Sequence, residues 1–387
     1  MKSHACTIAL GALTTLSACG GGDERVGTPT NFEPESAEYT FVTYNAGLAV
    51  GFVPAAEART EAIGPALAEL DADVICVQEV WSPEQVAAVQ AATEGSFPHQ
   101  YFPEPSQDDD AFCGKGQLDS LITCLDDAAC TDLCVDEVDD CLFAECGAPF
   151  LLLPDDCMRC AMANVGESPD EVVARCEVDP VSYAYDGSFG IGLISRYPLI
   201  DVQQEVFAST TNRRAVVGAT IEAAQGDLSV YCTHLTAVFD TIPYPRETGG
   251  WAEEQAQQLG TLNAFVNDTK VSRVVLMGDL NTGPAINGMD GEAPENWSLI
   301  ADDGWTAPYL DLDDPQCTYC ADNPLLAGSA DDDASRIIDH VLVQGFSEVV
   351  SAERVLDSPL PDTESCGVAY DPAALSDHYG VAATVSW

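Results

Sequence analysis

Two segments far apart in the chain, Val74-Ile75-Cys76-Val77 and Val274-Val275-Leu276-Met277, are apolar at every position. A strand with one face in water alternates polar and apolar residues, so a short run without alternation reads as a strand covered on both faces. Further strands are expected over residues 39–44, 99–102, 189–195, 200–206, 214–222, 228–234, 337–343 and 382–386. Helices are expected over 55–70 and 251–265 and from Ser82, where Ser-Pro-Glu puts proline at the first helical position. Strands outnumber helices and several neighbours can pair as hairpins. The class is therefore α+β in layers, not a Rossmann alternation, and no internal repeat is present.

The apolar strands share a second property: they end on polar residues that carry chemistry. Asn45 ends the first, Glu79 the second and His234 the segment Tyr231-Cys232-Thr233-His234. Asp279 and Asn281 end the second apolar run as Gly-Asp-Leu-Asn, Asp339 sits in Arg336-Ile337-Ile338-Asp339-His340, and Asp377-His378 precede the last strand. A single Asp after a buried strand is usually a turn or a cap. The whole set is better explained by one convergent metal and acid/base site. Glu79 is a hard carboxylate of the kind Mg²⁺ or Mn²⁺ prefers, and Asn45 offers an amide oxygen. Asp279 and Asn281, two residues apart on extended chain, point the same way and suit a water and a phosphate. His378 can serve as acid or base if Asp339 orients its other ring nitrogen, and His234 supplies a second imidazole.

These segments, in this order, resemble the endonuclease/exonuclease/phosphatase superfamily with its DNase I-like fold. The matching stretches are Thr43-Tyr44-Asn45, Gln78-Glu79-Val80, Gly192 to Pro198, Thr233-His234-Leu235, Gly278 to Asn281, Ile338-Asp339-His340 and Ser376-Asp377-His378. The resemblance implies a four-layer α/β/β/α sandwich with its site at one rim of two sheets. It also implies metal-dependent, in-line hydrolysis of a phosphoester by water. By the same resemblance Glu79 is the main Mg²⁺ ligand with Asn45 assisting, and Asp377 lies by the metal. Asp279 orients or deprotonates the water, Asn281 binds phosphate, Asp339 pairs with His378, and His234 is the second imidazole. His340 stands where an aromatic residue is frequent and reads as a flanking residue facing the other way.

Residues 1–18 have a basic Lys2 and an apolar stretch too short to span a bilayer, and Leu16-Ser17-Ala18-Cys19 resembles a bacterial lipobox. The reading is a lipoprotein signal over 1–18, a lipid on Cys19, a tether over 19–37 and the enzyme domain over 38–387. The alternative is an ordinary secretory signal. Either way the chain is expected to be exported, to the bacterial surface or periplasm.

Export makes disulfides the default for the cysteines. Removing Cys6 and Cys19 from the sixteen leaves fourteen. Nine of these fall from Cys113 to Cys176, an odd number, so at least one pairs outside that stretch or stays free. Residues 104–181 are cysteine-rich, Asp-rich and strand-poor, and read as a disulfide-stapled subdomain inserted in a surface loop. Its apolar run 148–154 is expected to form its own small core, with contact to lipid as the alternative. Cys76 and Cys232, each inside an apolar strand, are expected to be buried thiols. Zinc is the alternative for Cys157/Cys160 and for Cys317/Cys320. Asp108–Asp110 and Asp331–Asp333 lack the spacing of a calcium loop and read as solvated.

The formal charge is −50, from 64 Asp plus Glu against 14 Lys plus Arg. Such a surface disfavours coating nucleic acid or docking electrostatically on anionic lipid. A choline headgroup tolerates an acidic rim and aromatic faces, for which Tyr183, Tyr185, Phe239, Tyr244 and Trp251 are candidates. The Gln78–Ser82 segment and a Gln-rich helix after Thr-His-Leu also look similar to neutral sphingomyelinases. The expected substrate is a phospholipid, with an exported nuclease and a non-enzymatic surface binder as alternatives and no protein partner inferred.

Overall fold

The computed structural model describes residues 37–106, 112–165, 167–178, 183–239, 244–301, 303–327, 335–360, 363–370 and 373–387. The signal segment 1–18, the proposed anchor Cys19, almost all of the tether and the acidic runs at 108–110 and 331–333 lie outside the described residues.

In chain order, β1 (Glu38–Asn45) is followed by α1 (Ala56–Ala68), β2 (Val74–Gln78), α2 (Pro83–Thr93) and β3 (His99–Tyr101). Four helices then come in succession: α3 (Asp119–Asp127), α4 (Val138–Leu151), α5 (Asp155–Ala163) and α6 (Pro169–Cys176). Strands resume with β4 (Gly192–Ser195), β5 (Ile200–Phe207), β6 (Arg214–Ile221) and β7 (Leu228–His234). After them come α7 (Trp251–Asn267), β8 (Val274–Asp279), α8 (Pro294–Ala301) and β9 (Asp339–Gln344). The chain closes with β10 (Glu348–Val355), the short pair β11 (Thr363–Ser365) and β12 (Val368–Tyr370), and β13 (Gly380–Ser386).

Two large sheets form, ordered β10-β13-β1-β2-β4-β3 and β5-β6-β7-β8-β9, beside the two-stranded β11-β12. The unbroken apolar runs are explained by their two-sided burial. On β2, Val74 and Cys76 face the core between the sheets, with Val217, Cys232 and Met277 of the other sheet. Ile75 and Val77 face the opposite way, against Ile63 and Leu67 of α1 and Val89 of α2. Leu276 of β8 packs outward on Leu259 and Leu262 of α7 and Trp297 and Ile300 of α8. Each such aliphatic side chain taken from water contributes roughly 1.5–3 kcal/mol, and the result is the α/β/β/α sandwich.

α2 starts as its sequence indicates: Ser82 accepts from the Gln85 backbone N–H while the Gln85 side chain accepts from the Ser82 N–H, a reciprocal cap. Three further pieces have no counterpart among the expected elements, namely α8, the edge strand β10 and the β11–β12 hairpin.

The cysteine-rich segment folds as α3 to α6 around Leu121, Leu142, Phe150, Leu153 and Met158, so part of the apolar run at 148–154 is core as expected. Leu152 stands outside that core, 85% exposed. Disulfides join Cys113 to Cys157, Cys124 to Cys146, Cys130 to Cys141 and Cys160 to Cys176. The odd cysteine, Cys134, bonds Cys366 in the β11–β12 turn and ties the insert to the sandwich. Cys317 and Cys320 are disulfide-bonded to each other, so neither they nor Cys157 and Cys160 are zinc thiolates.

One expectation is overturned: Cys76 and Cys232 are not thiols but a disulfide. β2 and β7 face each other across the sandwich with their Cα atoms 5.2 Å apart, within bonding reach. The bond closes a separation of 156 residues and stabilises by about 5 kcal/mol if loop entropy dominates.

Candidate active site

Strand direction gathers the polar ends at one rim. β1 and β2 are parallel and in register at Asn45↔Gln78, so Asn45 and Glu79 emerge together. β7 and β8 are parallel with His234↔Asp279 paired, and β9 runs back with Asp339 opposite Asp279. β13 runs antiparallel to β1, which brings Asp377 and His378, just before it, to the same edge. All eight residues singled out in the sequence line one rim or support it.

Hydrogen bonds link them. Asn45 Nδ2 donates to Asp279 Oδ2 at 2.9 Å and to Glu79 Oε1 at 3.2 Å, while Asn45 Oδ1 accepts from the Gly47 N–H. The amide nitrogen, not the oxygen, thus faces the carboxylates, and rotating the amide by 180° exchanges the two atoms. Asp279 Oδ1 accepts from the Asn281 N–H, and Asp279 Oδ2 lies 3.3 Å from His234 Nε2 and 3.9 Å from His378 Nε2. Asn281 Nδ2 lies 3.1 Å from His234 Nε2. Asp339 Oδ2 holds His378 Nδ1 at 2.9 Å, which leaves Nε2 turned toward Asp279. His234 Nδ1 and Asp339 Oδ1 are buried with no partner.

Electrostatics divides these groups. Burial raises the Glu79 pKa, and the nearby charge of Asp377 raises it further. Two carboxylates that repel each other beside an amide form an oxygen-rich set fit for a hard divalent cation. Asp279, Asp339 and His378 also present ligand atoms within 4.8 Å of one another. Burial opposes ionisation of Asp279, but His234 and His378 outweigh it and hold the carboxylate ionised. Asp339 is pushed up to about 6 by burial, partly offset by His378. Burial works against His378 carrying charge, yet Asp339 wins and the imidazole pKa stands well above its ordinary value. His234, desolvated and repelled by Arg214, falls to about 4. One imidazole is thus kept charged and the other neutral.

The backbone around the site is strained. Glu79 and Asn281 have φ of 55° and 47°, in the left-handed region non-glycine residues avoid. Such positions cost about 1–3 kcal/mol and persist where the surroundings over-determine them. Gly47, φ +55°, has no room for a Cβ, which would collide with Asp377 Oδ1 and Ser376 Oγ. These are features of assembly that a strand pattern does not announce.

Sequence reasoning also missed supporting side chains. Arg59 is fully buried and donates to the carbonyls of Pro54, Ala46, Gly47 and Leu375, clamping the two loops that carry Asn45 and Asp377. Gln255 Nε2 donates to the carbonyls of Thr236 and Asn281, which gives the Gln-rich face of α7 its reason. Tyr319, inside the Cys317–Cys320 loop, lays its ring 5.0 Å from that of His378. Arg214 lines the cleft with buried nitrogen to spare. His340 turns away from the rim: its Nε2 meets the Thr282 carbonyl oxygen and its ring stacks on Trp297.

The rim opens into a cleft of about 360 Å³. Its lining is both polar, with Glu79, Asp279, Asp377 and His378, and apolar, with Phe143, Phe150, Leu151, Met158 and Met162 of the insert. Of the expected aromatic faces, Tyr185, stacked on Trp81, and Phe239 and Trp251, packed edge to face, line it. Tyr183 is covered by Arg159 and Arg213, at 4.1 and 4.0 Å, and the Tyr244 hydroxyl bonds Glu254.

Among solved structures, sphingomyelinase C from Streptomyces griseocarneus superposes with a TM-score of 0.57 at 18% identity, over 90% of this chain and 99% of its own. A mutant beta toxin from Staphylococcus aureus with bound magnesium ions gives 0.56 at 14%, over 90% and 99%. An endonuclease/exonuclease/phosphatase from Beutenbergia cavernae gives 0.50 at 18%, over 90% and 71%. At these identities the likeness is one of fold, and no curated protein matches the sequence. The profile of the endonuclease/exonuclease/phosphatase family, named for hydrolases of phosphoester bonds, matches residues 42–378, a span that runs through every rim residue. With that span matched and the sandwich in place, the chain belongs to the endonuclease/exonuclease/phosphatase family.

Proposed function

We propose that this protein is a Mg²⁺- or Mn²⁺-dependent phosphodiesterase that cleaves a phospholipid in the manner of a sphingomyelinase or phospholipase C. The observation that carries the lipid reading is the cleft itself. Its lining combines the charged set with Phe150, Leu151, Met158 and Met162 of the insert. An amphiphile with a phosphodiester head and an apolar body matches both kinds of lining, whereas a nucleic-acid backbone has no use for the apolar one. Seven disulfides support an exported protein. A lipid on Cys19 would hold it beside its substrate.

Each residue has a role in this reading. Glu79, Asp377 and Asn45 would hold the cation. A bound divalent ion supplies Lewis-acid stabilisation of charge on a phosphoryl oxygen. Asp279, kept ionised, orients the attacking water, and Asn281 Nδ2 donates to a phosphoryl oxygen. His378, kept protonated by Asp339, carries the proton toward the leaving oxygen. Neutral His234 presents a donor to the same phosphate.

The test is hydrolysis of sphingomyelin and phosphatidylcholine vesicles against plasmid DNA, each with Mg²⁺ and with EDTA. Release of the phosphorylated headgroup that EDTA abolishes and Mg²⁺ restores is expected. Cleavage of DNA alone would overturn the lipid reading.

A further inference from the structure

We propose that Arg214 is a catalytic residue that binds the non-bridging oxygens of the substrate phosphoryl group; the proposal rests on the phosphoester-hydrolase reading of the same cleft. Arg214 opens β6, which runs antiparallel to β7 with Val216 paired to Thr233. Its start therefore lies beside the end of β7, where His234 stands. The side chain is 6% exposed and lines the cleft together with Glu79, Asp279 and His378.

The guanidinium is uncommitted. Nη1 is buried with no hydrogen-bond partner, and no ion pair within 4.0 Å is made to Arg214 among the described residues. This occurs in a chain with 64 acidic and 14 basic residues, where a carboxylate partner is easily found. Burial lowers its pKa, while the charges of Glu79 and Asp279 favour keeping the proton. Its Cζ lies 5.8 Å from the centre of the Trp81 ring, so the group is supported from one side by an aromatic face. Two neighbours share the condition: Asn212 Oδ1 and Arg213 Nε are also buried without partners. Arg213 is occupied by the Tyr183 ring, but Asn212 lines the cleft beside Arg214.

A buried cation left unpaired is unfavourable unless a ligand completes it. A resident counter-ion to Glu79 would sit in contact with it, and Arg214 does not. A phosphodiester suits the vacancy in donors. As the water oxygen bonds to phosphorus and the bond to the leaving oxygen breaks, negative charge grows on the non-bridging oxygens. A planar fork of N–H donors can take two of them at once. Such a preorganised donor in a water-poor site binds these oxygens in the ground state and more strongly as their charge grows in the transition state.

The test compares wild type with Arg214→Met, which keeps volume without charge, and Arg214→Lys. In the Met variant, kcat/KM should fall by about 10²–10³-fold, and half-saturation by Mg²⁺ should not rise. Inorganic phosphate binding in the presence of Mg²⁺, measured by calorimetry, should weaken at least about tenfold. Phosphate affinity within about threefold of wild type would overturn the proposal, as would a loss of activity that excess Mg²⁺ repairs. If the Met variant does not fold, the Lys variant decides: weaker phosphate binding than wild type supports the fork, and equal binding sinks it. If wild type hydrolyses no phosphoester, the functional reading fails, and the phosphate comparison still tests Arg214 separately.

Discussion

The rim of the sandwich and the cysteine-rich insert meet at one cleft but are held by different means. At the rim, side chains are placed by strand register: parallel β7 and β8 set His234 beside Asp279, and antiparallel β9 sets Asp339 opposite. In the insert, four internal disulfides and a small core fix short helices, and one bond, Cys134–Cys366, ties them to the sandwich. Register places an atom to within a fraction of an ångström, which chemistry requires. Staples hold a surface in place without specifying each contact, which is sufficient for an apolar wall. Under the proposed function the difference assigns a division of labour, in which the rim sets reaction rate and the insert sets substrate preference.

The largest effect should come from the rim. Asp279→Asn leaves the carboxylate position filled but uncharged, and His378→Ala removes the imidazole that Asp339 orients. Each should lower kcat by about 10⁴-fold on every phosphoester the enzyme accepts, soluble or membrane-bound. The circular dichroism spectrum should be unchanged. Retention of wild-type turnover by both variants would remove the enzyme reading and with it the comparison.

How much of this was legible follows from the same contrast. The strand ends could be read because the signal is local: an apolar run and its polar terminus lie within six residues, as from Val74 to Glu79. β10 could not, because it is an edge strand whose residues, Glu348 to Val355, are mostly exposed and do not alternate cleanly. Arg59 gave no signal because its partners include a carbonyl 316 residues away. Gln255 and Arg214 likewise owe their meaning to loops and strands distant in sequence. Cys76 and Cys232 were misread because an apolar strand suits a thiol and a buried disulfide equally, and only the facing of two sheets decides between them. In the insert, the odd number of cysteines left one to pair outside or stay free, and nothing in the spacing pointed to Cys366. That the insert lines the site was only half legible: its apolar run 148–154 could be read as touching lipid or as its own core, and Phe150 and Leu151 of that run line the cleft.

A smaller, selective effect should come from that wall. Leu151 is half-buried and lines the cleft. Replacing it with Asp puts a charge where an apolar body is expected to lie. Turnover of phospholipid vesicles should fall by about tenfold, from the loss of buried apolar contact and the cost of desolvating a carboxylate. Turnover of a small water-soluble phosphodiester such as bis(p-nitrophenyl) phosphate should stay within about twofold, because no rim residue has moved. Equal losses on both substrates would mean that the insert supports the catalytic geometry, and the division between rate and preference would fail.

The smallest effect probes the seam between the two regions. Asp139 stands in the first turn of α4, close to Asp136, whose carboxylate accepts from the Ala55 N–H of the sandwich. Burial, opposed by local backbone hydrogen bonds and reinforced by the charge of Asp140, pushes its pKa up to about 7. An unfolded Asp loses its proton near pH 4 (about 3.9). Between about pH 4 and 7 the folded chain therefore holds a proton that the unfolded chain has lost, and this group makes stability fall as pH rises. Above that window its contribution is constant. Asp139→Asn abolishes the slope, so the variant and wild type should melt together near pH 4, with the variant the more stable of the two at pH 8. A variant less stable than wild type at pH 8 would mean that the ionised carboxylate is favourably held. The insert would then be bound to the sandwich by charge as well as by the Cys134–Cys366 disulfide.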